Sequence, residues 1–483
     1  MDWYHYVLIS IALLFLILCL IVLIRTFNFK PKKIKDVDFE NVEFDKIKAV
    51  ENLRELIKCK TISDYDKSKE DETEFEKLYS LLPKLYPNVI KNCESIKLEN
   101  RGLLYKWEGK NHDKPAVLMA HYDVVSVVEE NWDKPPFEAI LEDGVLWGRG
   151  TLDTKVTFNA IMFSVNHLIE QGFVPENDIY LAFSGGEEIN GLGAVDIVNY
   201  FKNNGVSPYL VVDEGGAVVE NVFPGVKKPC GLIGVAEKGM MNLKFTNTSS
   251  GGHASAPKPH TPIGILAKAC VDVESHPFKA KLSKPVAGMF DTLGRHSTFV
   301  YRMIFANLWL FKGVLDMICK KSGGEINAMM RTTVAFTQSE GSKGVNVIPP
   351  VASITANMRI NPDDSVKIAE DYIKKIVNND EVVLENLTSM EPSPVSVAKC
   401  EQFDRVANAI RGTWGKDVLV SPYLMVQCSD SRHYRDISKY VYRFSAMDLT
   451  SEERKTIHGN NERIRVETIN RAVEFYIRLI QNS

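Results

Sequence analysis

Between Val7 and Ile24 the chain is uncharged and almost wholly Leu, Ile, Val, Ala and Phe, with Trp3, Tyr4 and Tyr6 before it and Arg25 after it. Eighteen largely apolar residues with interfacial aromatics are just enough to cross a bilayer as a helix. Residues 1–25 therefore read as a transmembrane anchor. A cleaved leader wants a basic segment before the run and a small-x-small site after it, and neither is present. Residues 26–45 follow as a polar linker, basic and then acidic. From Ile47 to Leu210 apolar runs alternate with helix-like stretches, as in a sheet covered by helices. The stretches 116–120, 179–183 and 209–212 read as buried strands. The stretch 154–171 reads as a helix, with Val156, Ala160, Phe163, Leu168 and Ile169 broadly on one side and Gly172 placed to cap it. Around Gly234 the pattern changes. Strand-like 240–246, 332–337 and 351–360 flank helix-like 263–273 and 298–319. The predicted fold is α/β: a larger domain at 46–234 and 363–483, its mixed sheet covered by helices, with a smaller α+β domain inserted at 235–362. A helix at 365–377 returns the chain to the larger domain.

Bulk properties narrow this picture. A chain of 483 residues exceeds one simple core. A net charge of −4 gives no reason to expect a nucleic-acid partner. The 8 cysteines form no Cys-x-x-Cys pair, so they read as buried thiols in a reducing compartment rather than a disulfide frame. Arg25, Lys30, Lys32, Lys33 and Lys35 cluster after the apolar run, and the positive-inside rule then puts the large domain in the cytoplasm. The expectation is a single-pass membrane protein.

Three predicted strands end in acids or imidazole followed by turn residues: His121-Tyr122-Asp123, Ser184-Gly185-Gly186-Glu187-Glu188 and Asp213-Glu214-Gly215-Gly216. Asp153 closes Gly148-Arg149-Gly150-Thr151-Leu152-Asp153, and His458 stands near the C-terminus. In an open α/β sheet ligands bind beyond the carboxyl ends of the strands, so these segments converge on one site. Zinc takes His nitrogen and carboxylate oxygen, and catalytic sites keep a position for water. One imidazole, one terminal acid and one bridging acid per metal describes His121, Asp153, Glu188, Asp213 and His458. A pair of divalent cations sharing a carboxylate can supply hydroxide at neutral pH for attack on an amide. Glu187, beside a ligand and not needed as one, is placed as general base. Asp123 can accept the second N–H of His121 and fix its tautomer. Singly, Asp153 could be an N-cap and Glu187-Glu188 a solvated helix start. Unrelated caps would not gather at the ends of buried strands.

At these residues the sequence resembles the co-catalytic di-zinc metallopeptidases that include carboxypeptidase G, aminoacylase and carboxypeptidase S. The matching text is Met119-Ala120-His121-Tyr122-Asp123, Trp147 to Lys155, Ser184 to Glu188, Asp213 to Gly216, Gly251-Gly252-His253-Ala254-Ser255, Asn346-Val347-Ile348-Pro349 and Ile457-His458-Gly459-Asn460-Asn461-Glu462. The segment Ser429-Asp430-Ser431-Arg432-His433-Tyr434 and the long insertion resemble the carboxypeptidase S and N-fatty-acyl-amino-acid hydrolase/synthase branch. The resemblance implies a zinc-exopeptidase-like fold with a lid or dimerisation domain, and two zinc ions per subunit that cobalt or manganese can replace. His121 and Asp213 would hold one ion, Glu188 and His458 the other, with Asp153 bridging and Glu187 as acid/base. It also implies that His253 stabilises the oxyanion and that Arg359 and Asn346 bind the substrate's free carboxylate. In many relatives that imidazole comes from a partner subunit, so a homodimer is one arrangement the resemblance offers. Gln427-Cys428-Ser429 stands where many relatives carry Gly-Gly-Thr before the position of Asp430, so Cys428 is expected to shape this part of the pocket differently.

The expected activity is zinc-dependent hydrolysis of the amide joining an acyl or peptidyl group to a C-terminal amino acid, on small-molecule substrates. The alternative is a di-/tripeptidase or short-chain N-acyl-amino-acid deacylase. A catalytically dead binding protein would lack the base or a ligand. Between Thr298 and Cys319, Tyr301, Ile304, Phe305, Leu308, Phe311, Leu315 and Ile318 recur at helical spacing, and Trp309, Leu310 and Val314 widen the stripe. The plain reading is one helix packed into the small domain's core. The sharper one is a helix that lines an apolar channel or rests on a bilayer.

Overall fold

The computed structural model describes residues 2–32 and 40–482. Lys33, Lys35 and part of the expected linker lie outside the described residues. The chain begins with α1 (Trp3–Asn28), whose length and composition suit a membrane span or a signal sequence alike. Within it only Val22 and Thr26 are buried.

The large layer is an eight-stranded mixed sheet of β1 (Glu94–Lys97), β2 (Leu103–Trp107), β3 (Asn111–His121), β4 (Asn177–Ser184), β5 (Leu210–Val219), β6 (Cys230–Glu237), β7 (Leu419–Met425) and β8 (Val441–Leu449). Their spatial order is β1-β2-β4-β3-β5-β8-β6-β7. β3 runs parallel to β4 and β5, and β5 parallel to β8, so their carboxyl ends share one edge. Apart from the edge strand β1 and the start of β3, the strands are largely buried on both faces, as their near-continuous apolar runs require. Ala116, Leu118 and Ala120 of β3 join one core with α2 (Lys155–Glu170) and the C-terminal helix Val466–Gln481. Val117 and Met119 join another core with Ile197, Val198 and Phe201.

The smaller layer is a four-stranded antiparallel sheet of Gly239–Thr248, Thr333–Glu340, Val351–Ile360 and Val383–Met390. It carries α3 (Pro262–Ser275) and the helix Val366–Val377 on its apolar face, where Met241, Leu243, Leu266, Ala369 and Ile373 share a core. This layer differs from the expected 235–362 domain at both its end and its middle. The helix Val366–Val377 and the strand after it continue the small layer instead of returning to the large one. In the middle, α4 (Lys284–Gly294), α5 (Phe299–Ala306), α6 (Leu308–Ser322) and α7 (Gly324–Met330) leave it. Their Val286, Phe290, Leu293, Phe305, Leu315 and Met330 pack into the large core.

The single helix expected at 298–319 is broken. Asn307 is fully buried, and its Nδ2 donates to the carbonyls of Met303 and Val22 and to Thr26 Oγ1. That side chain takes over backbone acceptors at the junction and turns the chain between α5 and α6.

Candidate metal centre

β3 is buried from Pro115 to its end, so it delivers His121 into the molecule rather than to the surface. Asp123's backbone carbonyl accepts from His121 Nδ1 at 3.0 Å. That fixes the proton on Nδ1 and leaves the Nε2 lone pair facing the site. Nε2 lies 2.9 Å from Asp153 Oδ1 and 3.5 Å from Glu214 Oε1. Asp153's other oxygen is 3.0 Å from His458 Nε2, which is also 3.0 Å from Glu188 Oε2. His121, Asp153 and Glu188 bring potential ligand atoms within 4.8 Å of one another, and so do His121, Glu187 and Glu214. Residues from five separate stretches thus meet at the carboxyl ends of β3 and β4, beside the middle of β5.

Asp213, the acid expected beside His121, does not stand there. Its carboxylate accepts the Ser431 amide at 2.8 Å, and Glu214 takes the place next to the imidazole. Successive strand residues face opposite ways. The pairing of β5 with β8 also slips here, since Asp213 faces Arg443 whereas the next paired residues are Gly216 and Phe444. Glu214 falls in that irregular stretch and swings into the site.

Two further carboxylates shape the centre. Glu462 is fully buried and accepts Arg149 NH1 at 2.7 Å, the Leu152 amide at 2.7 Å and the Asp153 amide at 3.2 Å. It fixes the loop that carries Asp153. It lies inside the matched segment Ile457 to Glu462, but no spacing rule marked it out. Asp123 accepts the Glu187 and Glu188 amides at 3.1 and 3.2 Å, as well as the Ser63 hydroxyl. Its carboxylate is 3.4 Å from His121 Nδ1, so its backbone carbonyl rather than its side chain makes the shorter contact to the imidazole.

Charge crowding is severe. Burial pushes Glu187 well up, and Asp430, Glu214 and Glu188 add to it against His121. Burial together with Asp153 and Asp213 lifts Glu214 to about 8. For Asp153, burial is outweighed by His121 and His458, which hold its carboxyl below the usual range. Asp153 and Glu188 raise His458 to about 10. Acids pushed toward the neutral form beside imidazoles pushed toward the charged form are what clustered carboxylates produce when protons alone balance them. A divalent cation relieves both. Glu188 Oε1 is buried without a hydrogen-bond partner, and the donor set of imidazole nitrogen and carboxylate oxygen suits zinc.

The remaining expected residues sit elsewhere. Arg359 lies on Val351–Ile360, with NH1 3.6 Å from Cys428 Sγ. His253 and Asn346 belong to an exposed two-stranded ribbon of the small layer, where His253 pairs with Val347. The hydrogen bonds of His253 are local: its Nδ1 accepts the Ser255 amide at 3.1 Å and lies 2.8 Å from the Ser255 hydroxyl. Accepting at Nδ1 puts the ring proton on Nε2, so the outer nitrogen is a donor.

A cavity of about 720 Å³ leaves the acid cluster and passes Cys428. Part of its wall is apolar, with Ala217, Val219, Leu232, Met425, Met447 and Leu449. Glu325 and Ala328 of α7 also line it, and Glu325 accepts from the Tyr423 hydroxyl at 2.6 Å.

This fold and this acid–imidazole cluster define a metal-dependent hydrolase. Residues 117–482 match peptidase family M20/M25/M40. The chain belongs to that family of metallo-carboxypeptidases and amidohydrolases, as its motifs led one to expect. It is 34% identical over 469 residues to the probable carboxypeptidase S-like 2 of Dictyostelium discoideum, covering 95% of this chain and 90% of the relative. It is also 34% identical over 477 residues to the N-fatty-acyl-amino acid synthase/hydrolase PM20D1 of Xenopus tropicalis, covering 97% and 93%. Its fold is similar to the M20 family metallo-carboxypeptidase Sso-CP2 of Sulfolobus solfataricus, with a TM-score of 0.65, 17% identity and coverage of 90% and 98%.

Proposed function

We propose that this chain is a single-pass membrane enzyme that uses two zinc ions to hydrolyse long-chain N-acyl amino acids to fatty acid and amino acid. One observation carries the reading: Asp153 offers one carboxylate oxygen to each of two imidazoles. An acid shared between two cations needs that placement. His121 and Glu214 would hold one ion, and His458 and Glu188 the other. Bound there, the ions would acidify a water and polarise the scissile carbonyl.

The other steps belong to the chain's own residues. Glu187 takes a proton from the attacking water and passes it to the leaving amine, a task that suits a carboxylate next to the ligand Glu188 and not needed as a ligand itself. Arg432 NH1, 4.0 Å from Glu187 Oε1, steadies that carboxylate. Arg359, against the Cys428 wall, receives the free carboxylate of the substrate together with Asn346. His253 supplies an Nε2–H donor to the oxyanion. Its exposure on a projecting ribbon suits delivery to the site of a second copy, hence a homodimer. The acyl chain occupies the space beside the apolar lining residues, and the fatty-acyl substrate in the name of the Xenopus relative supports a long chain there. Arg25, Lys30 and Lys32 beside the span favour the cytoplasmic side for the large layer.

The test is a substrate panel on the zinc-loaded full chain in detergent. N-acyl amino acids with long chains should be cleaved with higher kcat/KM than acetyl amino acids or dipeptides. Faster cleavage of dipeptides would assign the chain to the peptidase alternative.

A further inference from the structure

α6 is apolar on two opposite sides, and the protein covers only one of them. Leu315 and Cys319 face the large core. Leu310, Val314 and Met317, at positions i, i+4 and i+7, form a second stripe on the far side and are exposed. Trp309 beside them is 57% exposed, and Phe299 and Val300 of α5 are exposed as well. Residues 299–322 hold four basic side chains and one acid, Asp316, which is paired with Arg331 and Lys320. An outward apolar stripe on a basic helix suits the boundary of a membrane with anionic lipid.

What decides the partner is the contact with α1. Asn307, at the corner between α5 and α6, reaches the Val22 carbonyl at 3.2 Å and Thr26 Oγ1 at 3.3 Å. Arg25 Nε donates to the Ala306 carbonyl at 3.2 Å, and the Phe27 and Phe299 rings lie 5.8 Å apart. Arg295, at the C-terminal end of α4, stacks on Phe29 and donates to the Lys30 carbonyl at 3.0 Å, and Lys32 pairs with Asp291 at 2.8 Å. The end of α1 is therefore clamped to this insertion by both polar and aromatic contacts. The uncharged run ends at Ile24. At 1.5 Å per residue, Val22 sits about 3 Å inside that end. A corner that touches Val22 and Thr26 lies at the level where hydrocarbon gives way to headgroups.

We infer that α5 and α6 form a bilayer-resting platform at the foot of the span, with Trp309, Leu310, Val314 and Met317 in the interfacial region of the same leaflet. The inference rests on the retained-anchor reading given above. It deepens that reading, because α6 runs directly into α7, whose Gly324, Glu325 and Ala328 line the catalytic cavity. The cavity wall is then one short helix away from lipid, and substrates with long acyl chains are drawn from the leaflet rather than from bulk water.

The experiment uses the full chain, extracted from membranes and reconstituted into nanodiscs of phosphatidylcholine and phosphatidylserine. The intact mass first shows whether residues 1–24 are present. Emission lost in W309F then isolates Trp309, which is read with lipids brominated near the headgroup end of the acyl chain and with aqueous iodide. Quenching of the Trp309 component by bromolipid, with shielding from iodide, is expected. Quenching by iodide alone, in a chain that retains its first helix, would overturn the platform and leave the anchor standing. Loss of residues 1–24 would overturn both. A second readout is kinetic: L310E/V314E should raise KM for a vesicle-borne long-chain N-acyl amino acid by about tenfold and leave acetyl amino acid cleavage unchanged. Equal change on both substrates would count against delivery from the leaflet.

Discussion

Glu462 accepts the backbone amide of Asp153, 309 residues away in the chain, with its buried carboxylate. The same side chain holds Arg149 and the Leu152 amide, so the proposed bridging acid is positioned by a residue that touches no substrate. Replacing Glu462 by Gln keeps the shape but weakens this grip. The expected result is zinc affinity lowered about 10–100-fold, the usual effect of losing a group that orients a ligand. Competition against a chromophoric chelator measures it, and unchanged affinity would deny Glu462 that role.

Glu214 and Asp213 are neighbours with separable tasks. Glu214→Gln should cost the proposed centre one of its two metals, because it removes the acid 3.5 Å from His121. Asp213→Asn should keep both metals and lower the melting temperature, because that carboxylate holds the Ser431 amide. Metal per chain by mass spectrometry distinguishes the two, and the reverse pattern would restore Asp213 as the ligand.

Glu187→Gln should reduce kcat by 10²–10⁴-fold or more, the span of general acid–base contributions, with metal content unchanged. Retained turnover would show that another group carries the proton.

The chain should also lose stability on mild acidification in a way one histidine accounts for. Burial, and then Arg432, hold His433 down from 6.5 to about 4. Its Nε2 is buried without a partner. Below pH 6.5 the unfolded chain binds a proton at this site that the folded chain refuses until about pH 4. Stability contributed by the neutral ring is thus full above pH 6.5 and lost as pH falls through that window. His433→Leu should remove about 2 kcal/mol of the difference in urea stability between pH 7 and pH 4.5. An identical slope in the variant would place the titration elsewhere.

Part of the site was legible because His121, Glu187 and Glu188 stand at or just after the ends of buried strands, where the pattern of buried runs announces them. Asp153 and His458 were marked by their motifs alone. His121, Asp153, Glu187, Glu188 and His458 meet as the motifs suggested. That Glu214 rather than Asp213 lies next to the His121 imidazole was not legible. Both are acids in the middle of the same strand, and what separates them is a pairing slip set by β8, more than 200 residues later. The extent of the small layer failed for a related reason. The apolar face of Val366–Val377 shows that the helix is covered, but not by which sheet. The break at Asn307 lacks any Gly or Pro signal, because its cause is a side-chain contact with α1, far away in sequence. Long-range partners decided each of these points, and local pattern carries no record of them.

Anomalous diffraction from crystals of the zinc-loaded protein at the zinc absorption edge tests the central claim most directly. Two peaks about 3.5–4 Å apart are expected, both within reach of the Asp153 carboxylate, one beside His121 and Glu214 and the other beside Glu188 and His458. A single peak, or a pair that leaves Asp153 untouched, would contradict that claim.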